Sequence, residues 1–357
     1  MIKIALIPFY KSLEKNYIFK KELFRDNINE VYFELKNYFQ KKGLSLNTQD
    51  INTLSESKKI IFLRFDLKNI FKLFLLGKLN SSIYIQFEPP VIIQIHEKKY
   101  LKKMANIFGS ILSWDDDIVG SESNIFKFYP PMPYRRKTKE VKFENKKLLC
   151  NISGNKDSYY KDELYSKRKE AIKYFEDNCG KEFDLYGVGW DKNIYSSYKG
   201  EIDSKNEVLK KYKFSLCYEN MCQIKGLLSE KIFDCFYAKT VPIFWGAENI
   251  DEYIPKECYI DKRDFDSYEK LYNYLKNMTE KEYEKRMNAI EKYLNSKEYE
   301  LFLPENFSEI IYKVLIKKNN KKYNKLKAFL SFIQIILIFF CFKIYNKIRK
   351  WRKNDSN

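Results

Sequence analysis

The chain has 357 residues, a net charge of +18, 45% hydrophobic residues and 17% aromatic residues. That length predicts about two domains, and so apolar a composition is not that of a disordered protein. Seven scattered cysteines without a CxxC pair and a single histidine argue against a disulfide framework, a histidine-based catalytic triad and a histidine metal cluster.

The first 130 residues contain several strand patterns and one clear helix pattern. The amino-terminal "IKIALIPF" predicts a buried strand, and because no basic region precedes a long apolar one, we expect no secretory signal. Residues 20–42 carry apolar side chains at helical spacing, and Gly43 ends that run. Two further apolar runs, 58–65 and 81–87, predict strands.

The second part of the chain alternates strands and helices more regularly. We predict strands in 142–153, 183–190, 213–220 and 240–246, and helices at about 161–177, 229–239, 267–277 and 279–297. Strands that alternate with helices are typical of parallel sheets, so the predicted fold class is α/β.

A proline-rich and then charged segment, "YPPMPYRRKTKE" at 129–140, separates two such sets of elements. We therefore predict two Rossmann-like domains facing a cleft, 1–135 and 136–312, with ligands at the carboxyl ends of the strands. The remaining segment, 313–357, is predicted to be a basic and hydrophobic tail.

The tail carries most of the excess charge. Between 317 and 357 there are twelve Lys and Arg and one Asp, so this segment contributes +11 of the +18. Within it, "AFLSFIQIILIFFCF" (328–342) is apolar all round, which favours a membrane contact through residues 317–353, either spanning or interfacial. A buried terminal helix is the alternative. Equal numbers of basic residues on the two sides of 328–342 give no orientation.

One strand–loop–helix–strand unit, "YENMCQIKGLLSEKIFDCFYAKTVPIFWG" (218–246), predicts a nucleotide site. Glu219 and Asn220 follow a strand, and Ser229 is a plausible N-cap for the next helix. Glu230 and Lys231 then occupy the first helical turn, where free N–H groups and the helix dipole favour a phosphate.

Lys231 would add a full positive charge to that helix start, and Arg168 on the preceding helix is a second candidate cation. Glu230 would accept hydrogen bonds from ribose hydroxyls. This arrangement favours a nucleoside diphosphate. The alternative interpretation is that Glu230 complements the helix dipole and Lys231 is solvated.

Residues 212–265, "YKFSLCYEN…GLLSEKIFDCFYAKTVPIFWGAENIDEYIPKECYIDKRDF", resemble the donor-binding motif of the α-1,3/4-fucosyltransferases of bacterial type. The agreement is ordered over about 54 residues, which is far more specific than a lone glycine-rich motif. The resemblance implies a GT-B fold, an amino-terminal acceptor-binding domain, GDP-fucose as the donor and no essential metal or other cofactor.

The resemblance also implies roles for individual residues. Lys231 and Arg168 match residues that contact the GDP diphosphate, Glu230 matches the residue at the ribose, and Asn220 matches one near the phosphates. Glu219 and Ser229 complete the predicted donor-binding set. The family's tyrosine in Y-V-T-E-K is Leu227 here, which leaves the identity of the donor sugar open.

Glu88 in "IYIQFEPPVII" follows a strand and precedes Pro89-Pro90. It resembles the glutamate of the family's E-S-P segment, the proposed general base; the alternative is a surface glutamate at a loop start. The resemblance implies an inverting transfer of L-fucose to a hydroxyl, expected to be O3 of N-acetylglucosamine or glucose, in a surface glycan such as lipopolysaccharide O-antigen.

Other acids and the single histidine are assigned no catalytic role. Asp115 and Asp117 in "SWDDDIVG" (113–120) have a spacing suited to a metal, yet we expect these acids to be solvated and no metal to bind. We expect His96 to lie in packing or at the surface. The partners expected are GDP-fucose, a glycan acceptor and the cytoplasmic face of an inner membrane, without nucleic acid.

Two other functions remain open from the sequence. One is the same fold with a different nucleotide sugar, as the leucine at 227 suggests. The other is a non-enzymatic scaffold that binds membranes or polyanions through its positive charge.

Overall fold

The computed structural model of the chain describes residues 1–21, 29–134, 139, 141–317 and 323–354, and in the last range it describes the side chains up to 342 and that of 344. The described residues form two compact units. The first comprises 1–21, 29–129 and 304–354, and the second comprises 130–303.

The first unit is a six-stranded parallel sheet with helices against it. The sheet order is β2-β1-β3-β4-β5-β6. Its strands are β1 (Ile2–Ile7), β2 (Leu44–Thr48), β3 (Lys59–Phe62), β4 (Ser82–Gln86), β5 (Ser110–Ser113) and β6 (Ile125–Lys127). Its amino-terminal helices are α1 (Glu30–Lys41), α2 (Leu67–Leu75) and α3 (Lys98–Ile107).

The second unit is a five-stranded parallel sheet of order β11-β10-β9-β7-β8. Its strands are β7 (Lys147–Ile152), β8 (Phe183–Tyr186), β9 (Tyr212–Tyr218), β10 (Val241–Trp245) and β11 (Ile260–Asp261). Its helices are α4 (Tyr165–Cys179), α5 (Lys205–Leu209), α6 (Glu230–Tyr237), α7 (Tyr268–Asn277), α8 (Glu280–Leu294) and α9 (Lys297–Glu300).

Two carboxy-terminal helices return to the first unit. These are α10 (Pro304–Ile316) and α11 (Lys325–Asn354). Ala328, Phe332 and Ile335 of α11 are buried, and the latter two belong to the core cluster of the first unit. Burial of apolar surface therefore fixes one face of α11 against α2 and α3.

The parallel α/β fold class predicted from the alternation of strands and helices is confirmed. The unit boundary differs from the predicted domains, because α10 and α11 pack on the first unit and do not form a separate segment. The predicted division between 135 and 136 lies outside the described residues, as does the first part of the predicted helix 20–42 at 22–28; α1 begins at Glu30.

Strand β7 is the switch point of the second sheet. It pairs with β8 on one side and with β9 on the other. The connection from β7 to β8 therefore runs to one side of β7, and the next connection, from β8 to β9, runs to the other side. Open parallel sheets bind ligands outside the carboxyl ends of the strands at such a point. In this unit the carboxyl ends lead into Ser153, Gly187 and Glu219.

Candidate functional site

A cavity of about 200 Å³ lies at this switch point in the second unit. Backbone segments that follow β7 and β8 form part of its wall, and side chains from α4, α5, α6 and the end of β9 complete it. Its lining includes Ile152, Ser153, Gly154, Lys156, Arg168, Gly187, Val188, Glu201, Ile202, Lys205, Asn220, Glu230 and Lys231. Four of the six predicted donor-site residues, Arg168, Asn220, Glu230 and Lys231, thus converge on one cavity.

Lys231 is held at the cavity by a buried carboxylate. Its Nζ lies 2.9 Å from Oε2 of Glu219, whose side chain is only 1% exposed, while the lysine side chain is 23% exposed. The same Nζ is 3.5 Å from Oδ1 of Asn220. An ion pair whose acid is buried and whose base reaches the surface fixes the position of the positive charge without covering it.

Glu219 and Ser229 do not line the cavity but organise the start of α6 behind it. The Ser229 backbone N–H and Oγ each donate to a Glu219 carboxylate oxygen at 2.8 Å. Ser229 is the N-cap, as predicted, and its Oγ accepts from the Lys231 backbone N–H at 3.4 Å. One helix N–H considered as a phosphate donor is therefore already bonded, and the side-chain cation of Lys231 remains the main feature of this turn.

Arg168 is the second cation of the cavity, and it is nearly fully buried. Its Nη2 donates to the backbone carbonyls of Tyr218 at 2.8 Å and Glu219 at 3.1 Å, at the end of β9. Burial lowers the pKa of Arg168, although Tyr165 and Glu219 oppose this effect. A guanidinium has five N–H donors, so the bonds made by Nη2 leave donors for an anion in the cavity.

Glu230 is about half exposed and is paired with Lys205. Lys205 Nζ lies 3.1 Å from Glu230 Oε1 and 2.8 Å from Asp234 Oδ2. Lys205 holds the pKa of Glu230 well below its usual range, so this carboxyl is ionised at neutral pH. An ionised carboxylate accepts hydrogen bonds and donates none, which suits a pair of ribose hydroxyls.

Two glycines are required where backbone or side chains approach closely. A Cβ on Gly187, whose φ is +123°, would lie 2.1 Å from the Ser153 carbonyl oxygen in the wall of the cavity. A Cβ on Gly246 would lie 2.6 Å from Cγ of Glu219. Gly246 therefore provides the space into which the buried glutamate folds.

Lys156 and Lys205 could not be selected from the sequence, because each is one of 66 basic residues. The glycines at 187 and 189 were the available sequence signal for this part of the wall, but we predicted a strand over 183–190, whereas β8 ends at Tyr186. Leu227 is buried and lies away from the cavity lining. The residue at the position of the family's tyrosine therefore packs in the loop between β9 and α6.

A larger surface depression of about 980 Å³ lies near the amino ends of β7 and β10. Lys146 on its wall donates through Nζ to the Lys239 carbonyl at 2.7 Å, so this cation ties two strand starts together. Ligands of open α/β sheets bind at the opposite ends of the strands. The smaller cavity is therefore the candidate site.

Glu88 belongs to the first unit and is exposed two residues after β4. The backbone carbonyl of Glu88 is 2.6 Å from Nδ1 of His96, and Nε2 of His96 is 2.6 Å from the Tyr84 hydroxyl. Burial lowers the pKa of His96 to about 4, so the ring is neutral at pH 7. Nδ1–H then donates to Glu88, and Tyr84 donates to Nε2. His96 therefore supports the backbone that carries Glu88, as a packed residue.

Asp115 corrects the expectation that the three clustered acids are solvated. It follows β5, is 1% exposed, and its Oδ2 has no hydrogen-bond partner among the described residues. Burial raises the pKa of Asp115 to about 6, although Lys98 opposes the shift. Asp116 and Asp117 pair with Lys127 and Lys98. In the described parts of the chain, no group of three or more His, Cys, Asp or Glu side chains is arranged to hold a metal ion.

Together, the cavity offers two fixed cations, an amide and an ionised carboxylate within one unit. Cations that buried groups hold in place stabilise a diphosphate, because they need not rearrange when negative charge develops on it. The carboxylate suits vicinal hydroxyls beside it. This set of groups has the chemistry needed to bind a nucleoside diphosphate.

The curated proteins that this chain resembles in sequence are fucosyltransferases. The chain is 35% identical over 75 residues to "Alpha-(1,3)-fucosyltransferase FucT" of Helicobacter pylori, which covers 21% of this chain and 16% of that protein. It is 28% identical over 132 residues to the Mus musculus "4-galactosyl-N-acetylglucosaminide 3-alpha-L-fucosyltransferase 9", covering 36% and 33%. The matches therefore span less than two thirds of these curated relatives.

Solved structures show the fold. "Crystal Structure of alpha1,3-Fucosyltransferase with GDP" matches 91% of this chain and 92% of its own, with a TM-score of 0.52 and 14% identity. "Crystal structure of Anabaena Alr3699/HepE in complex with UDP and glucose" matches 88% and 99%, with a TM-score of 0.56 and 8% identity. The fold is GT-B, as the resemblance implied.

A family model matches the part of the chain that contains every residue lining the cavity described above. The family model "Glycosyltransferase family 10 (fucosyltransferase) C-term" matches residues 145–334, more than half of the chain. The chain belongs to glycosyltransferase family 10, the fucosyltransferases.

Proposed function

We propose that this protein transfers L-fucose from GDP-fucose to a hydroxyl of a glycan, with inversion at the anomeric carbon. The observation that carries the proposal is the convergence of Arg168, Asn220, Glu230 and Lys231 on one cavity at the switch point of the second sheet. Membership of a fucosyltransferase family supports the choice of sugar.

In the proposed reaction, negative charge builds on GDP as the bond to the sugar breaks. Lys231, fixed by buried Glu219, and Arg168, fixed by two β9 carbonyls, meet that charge. Glu230 orients the nucleotide through its ribose. With a diphosphate as leaving group stabilised in this way, no acid is needed on the departing side.

Glu88 is the proposed general base. It would accept the proton of the acceptor hydroxyl while that oxygen attacks the anomeric carbon. Its exposure at the carboxyl edge of the first sheet, with its backbone held by His96, supports the assignment. The proposed acceptor is O3 of N-acetylglucosamine or glucose in a surface glycan such as lipopolysaccharide O-antigen.

Calorimetric titration of the full chain with GDP, UDP and CDP tests the donor site. We expect selective binding of GDP, weakened in Arg168→Lys because a lysine cannot reproduce the fork of donors. Lys192→Ala is a matched control, since Lys192 is exposed and lies outside the cavity. Folded protein that binds none of the nucleotides would contradict the proposal and favour a charge-driven scaffold.

Glu88→Gln separates chemistry from donor binding. We expect transfer from GDP-fucose to fall by about 10²-fold or more, in the range of general-base catalysis, while GDP affinity stays unchanged. Glu56→Gln is a control on another exposed glutamate of the same unit. Transfer at the wild-type rate by Glu88→Gln would exclude Glu88 as the base. Activity that survives a chelator would support the prediction that no metal is essential.

A different nucleotide sugar is the second candidate, favoured by Leu227 in place of the family's tyrosine. A panel of GDP-sugars, assayed with the full chain, decides between them. If the chain turned over another GDP-sugar and not GDP-fucose, the proposed donor sugar would be wrong and the proposed nucleotide site would stand.

We also propose that the protein attaches to the cytoplasmic face of the inner membrane through its carboxy-terminal segment. The helical segment 325–342 is long and apolar enough to cross a membrane, and 22% of it is buried in the structure. The basic residues of the tail suit anionic headgroups. Those at 318, 321 and 322 lie outside the described residues.

A further inference from the structure

Two helices of the first unit, α2 and α11, place large apolar side chains in solvent on the same part of the surface. Of the nineteen large hydrophobic side chains exposed among the described residues, nine lie on these helices or directly after α2. They are Phe71, Leu75, Leu76, Leu326, Leu330, Ile333, Leu337, Phe340 and Ile344. We call this set the α2–α11 face.

Two aromatic contacts connect α2 and the segment before it with α11. Phe74 of α2 stacks on Phe329 of α11 with ring centroids 5.2 Å apart, and Phe65, just before α2, meets Phe339 at 6.1 Å. Phe71 lies three residues before Phe74, and Ile333 lies four residues after Phe329. Residues at these spacings are neighbours on a helix surface, so the exposed apolar side chains of the two helices border the same contact.

The opposite side of α11 is committed to the protein along the apolar stretch. Phe332 and Ile335 are buried there, and Ser331 Oγ accepts from Asn106 Nδ2 of α3 at 3.2 Å. At the far end of the stretch, Phe342 contacts Tyr100 of α3 with ring centroids 6.3 Å apart. A helix that crossed a bilayer would lose these contacts, whereas a helix lying in the plane of the interface keeps them.

Lysines border the apolar side chains on both helices. Lys68 and Lys72 are exposed on α2, three residues before and one residue after Phe71. Lys325 and Lys327 are exposed at the start of α11 on either side of Leu326. A surface of apolar side chains edged by lysines complements a bilayer with anionic headgroups. If two copies of the chain met through this face, the lysines of one copy would face the lysines of the other, which disfavours a dimer as the occupant.

We propose that the α2–α11 face docks flat on a bilayer that contains anionic phospholipid, and that α2 is a membrane-contacting element outside the tail. The inference rests on the membrane attachment proposed above and is independent of the donor site. It replaces a spanning helix by an interfacial one. It also assigns Phe71 and Leu75 a function that neither catalysis nor core packing requires of them.

Vesicle cosedimentation of the full chain tests the proposal. The variant Phe71→Gln/Leu75→Gln leaves the tail intact, and Ile51→Gln/Ile194→Gln removes two exposed apolar side chains elsewhere as a matched control. The vesicles contain phosphatidylcholine and phosphatidylglycerol in equal parts, and we expect the control to bind them as the wild type does. We expect the α2 variant to bind at least about tenfold more weakly, because neither replaced side chain is then buried in lipid. Equal binding by the α2 variant and the control would overturn the proposal.

Two further measurements close the alternatives. A polarity-sensitive dye on Leu75→Cys, in a chain whose exposed Cys341 is replaced by serine, should shift to the blue with these vesicles and not with phosphatidylcholine alone. No shift would overturn the proposal. If sedimentation of lipid-free protein shows a dimer that the α2 variant converts to monomer, the face is an interface between copies and the proposal fails. GDP titration of the same samples reports on the donor site separately, and we expect it to be unchanged.

Discussion

The ion pair between Lys231 and Glu219 makes a prediction that separates folding from donor binding. Lys231→Met removes the cation and leaves the carboxylate of Glu219, which is 1% exposed, without its charge partner. Breaking a buried pair costs about 3–5 kcal/mol, and because the Lys231 side chain is 23% exposed we expect about 3 kcal/mol. For a unit of this size that corresponds to a fall in Tm of roughly 6–12 °C.

The double variant Glu219→Gln/Lys231→Met removes both charges. A glutamine at 219 can still accept from the Ser229 N–H and donate to Ser229 Oγ, so the two contacts at the helix start are kept. We expect its stability to return to within about 1 kcal/mol of the wild type, because replacing both members of a buried pair is often nearly neutral. We expect both variants to bind GDP roughly 10- to 150-fold more weakly than the wild type, which corresponds to the loss of one charged hydrogen bond.

Thermal unfolding without ligand and calorimetric titration with GDP measure the two effects independently. The reasoning would be refuted if the double variant regained wild-type GDP affinity, because Lys231 would then act only by neutralising Glu219. It would also be refuted if Lys231→Met unfolded at the wild-type temperature. The first result concerns the binding role of Lys231 and the second concerns its structural role.

Variants at three further places in the structure test other contacts. Lys205 lowers the pKa of Glu230 to about 2 from 4.5, so the stability from this pair is present above about pH 4.5 and is lost as the pH falls towards 2; in Lys205→Met that acid-side loss of Tm should be shallower. Burial lowers the pKa of His96 to about 4 from 6.5, so the folded state should lose about 3 kcal/mol as the pH falls from 6.5 to 4, and His96→Gln, followed by urea unfolding, should remove this slope. Truncation after residue 316 removes buried Phe332 and Ile335, which should lower the free energy of unfolding by about 3–6 kcal/mol. Leu330→Gln/Leu337→Gln on the exposed side of α11 should unfold as the wild type, and equal unfolding of the truncated chain would show that this packing contributes little.

Much of the second unit could be predicted from the sequence because its signals are local. The strand before Glu219, the N-cap at Ser229 and the helix after it follow from period and capping chemistry within about 30 residues. The short strands β5 and β6 of the first unit were not predicted. With four and three residues, they are too short to show a period, and pairing with neighbouring strands determines them.

The tail shows a different limit of the sequence. Its apolar stretch and its charge were clear, but residues that look equivalent along the chain have opposite environments in the structure. Phe332 is buried against the first unit, whereas Leu330 and Leu337 are exposed. Only the partner helices decide which face is covered. One side of α11 is therefore buried, as the alternative of a buried terminal helix predicted, and the other side is apolar and exposed. The membrane contact of the tail stays a prediction.

The two glutamates of the candidate donor site show why a motif does not determine the environment of each residue in it. Both Glu219 and Glu230 were predicted to contact the donor, and both are acids close to Lys231 in the sequence. The absent side chain of Gly246 leaves room for Glu219 to fold inward, where it holds the cation and the helix start. Glu230 is on the outside of the first turn, half exposed and held by Lys205. The neighbouring strand and helix thus make Glu219 a buried support for the Lys231 cation and leave Glu230 exposed at the cavity. This difference comes from the space at Gly246 and from the pairing with Lys205, which the order of residues in the motif does not reveal.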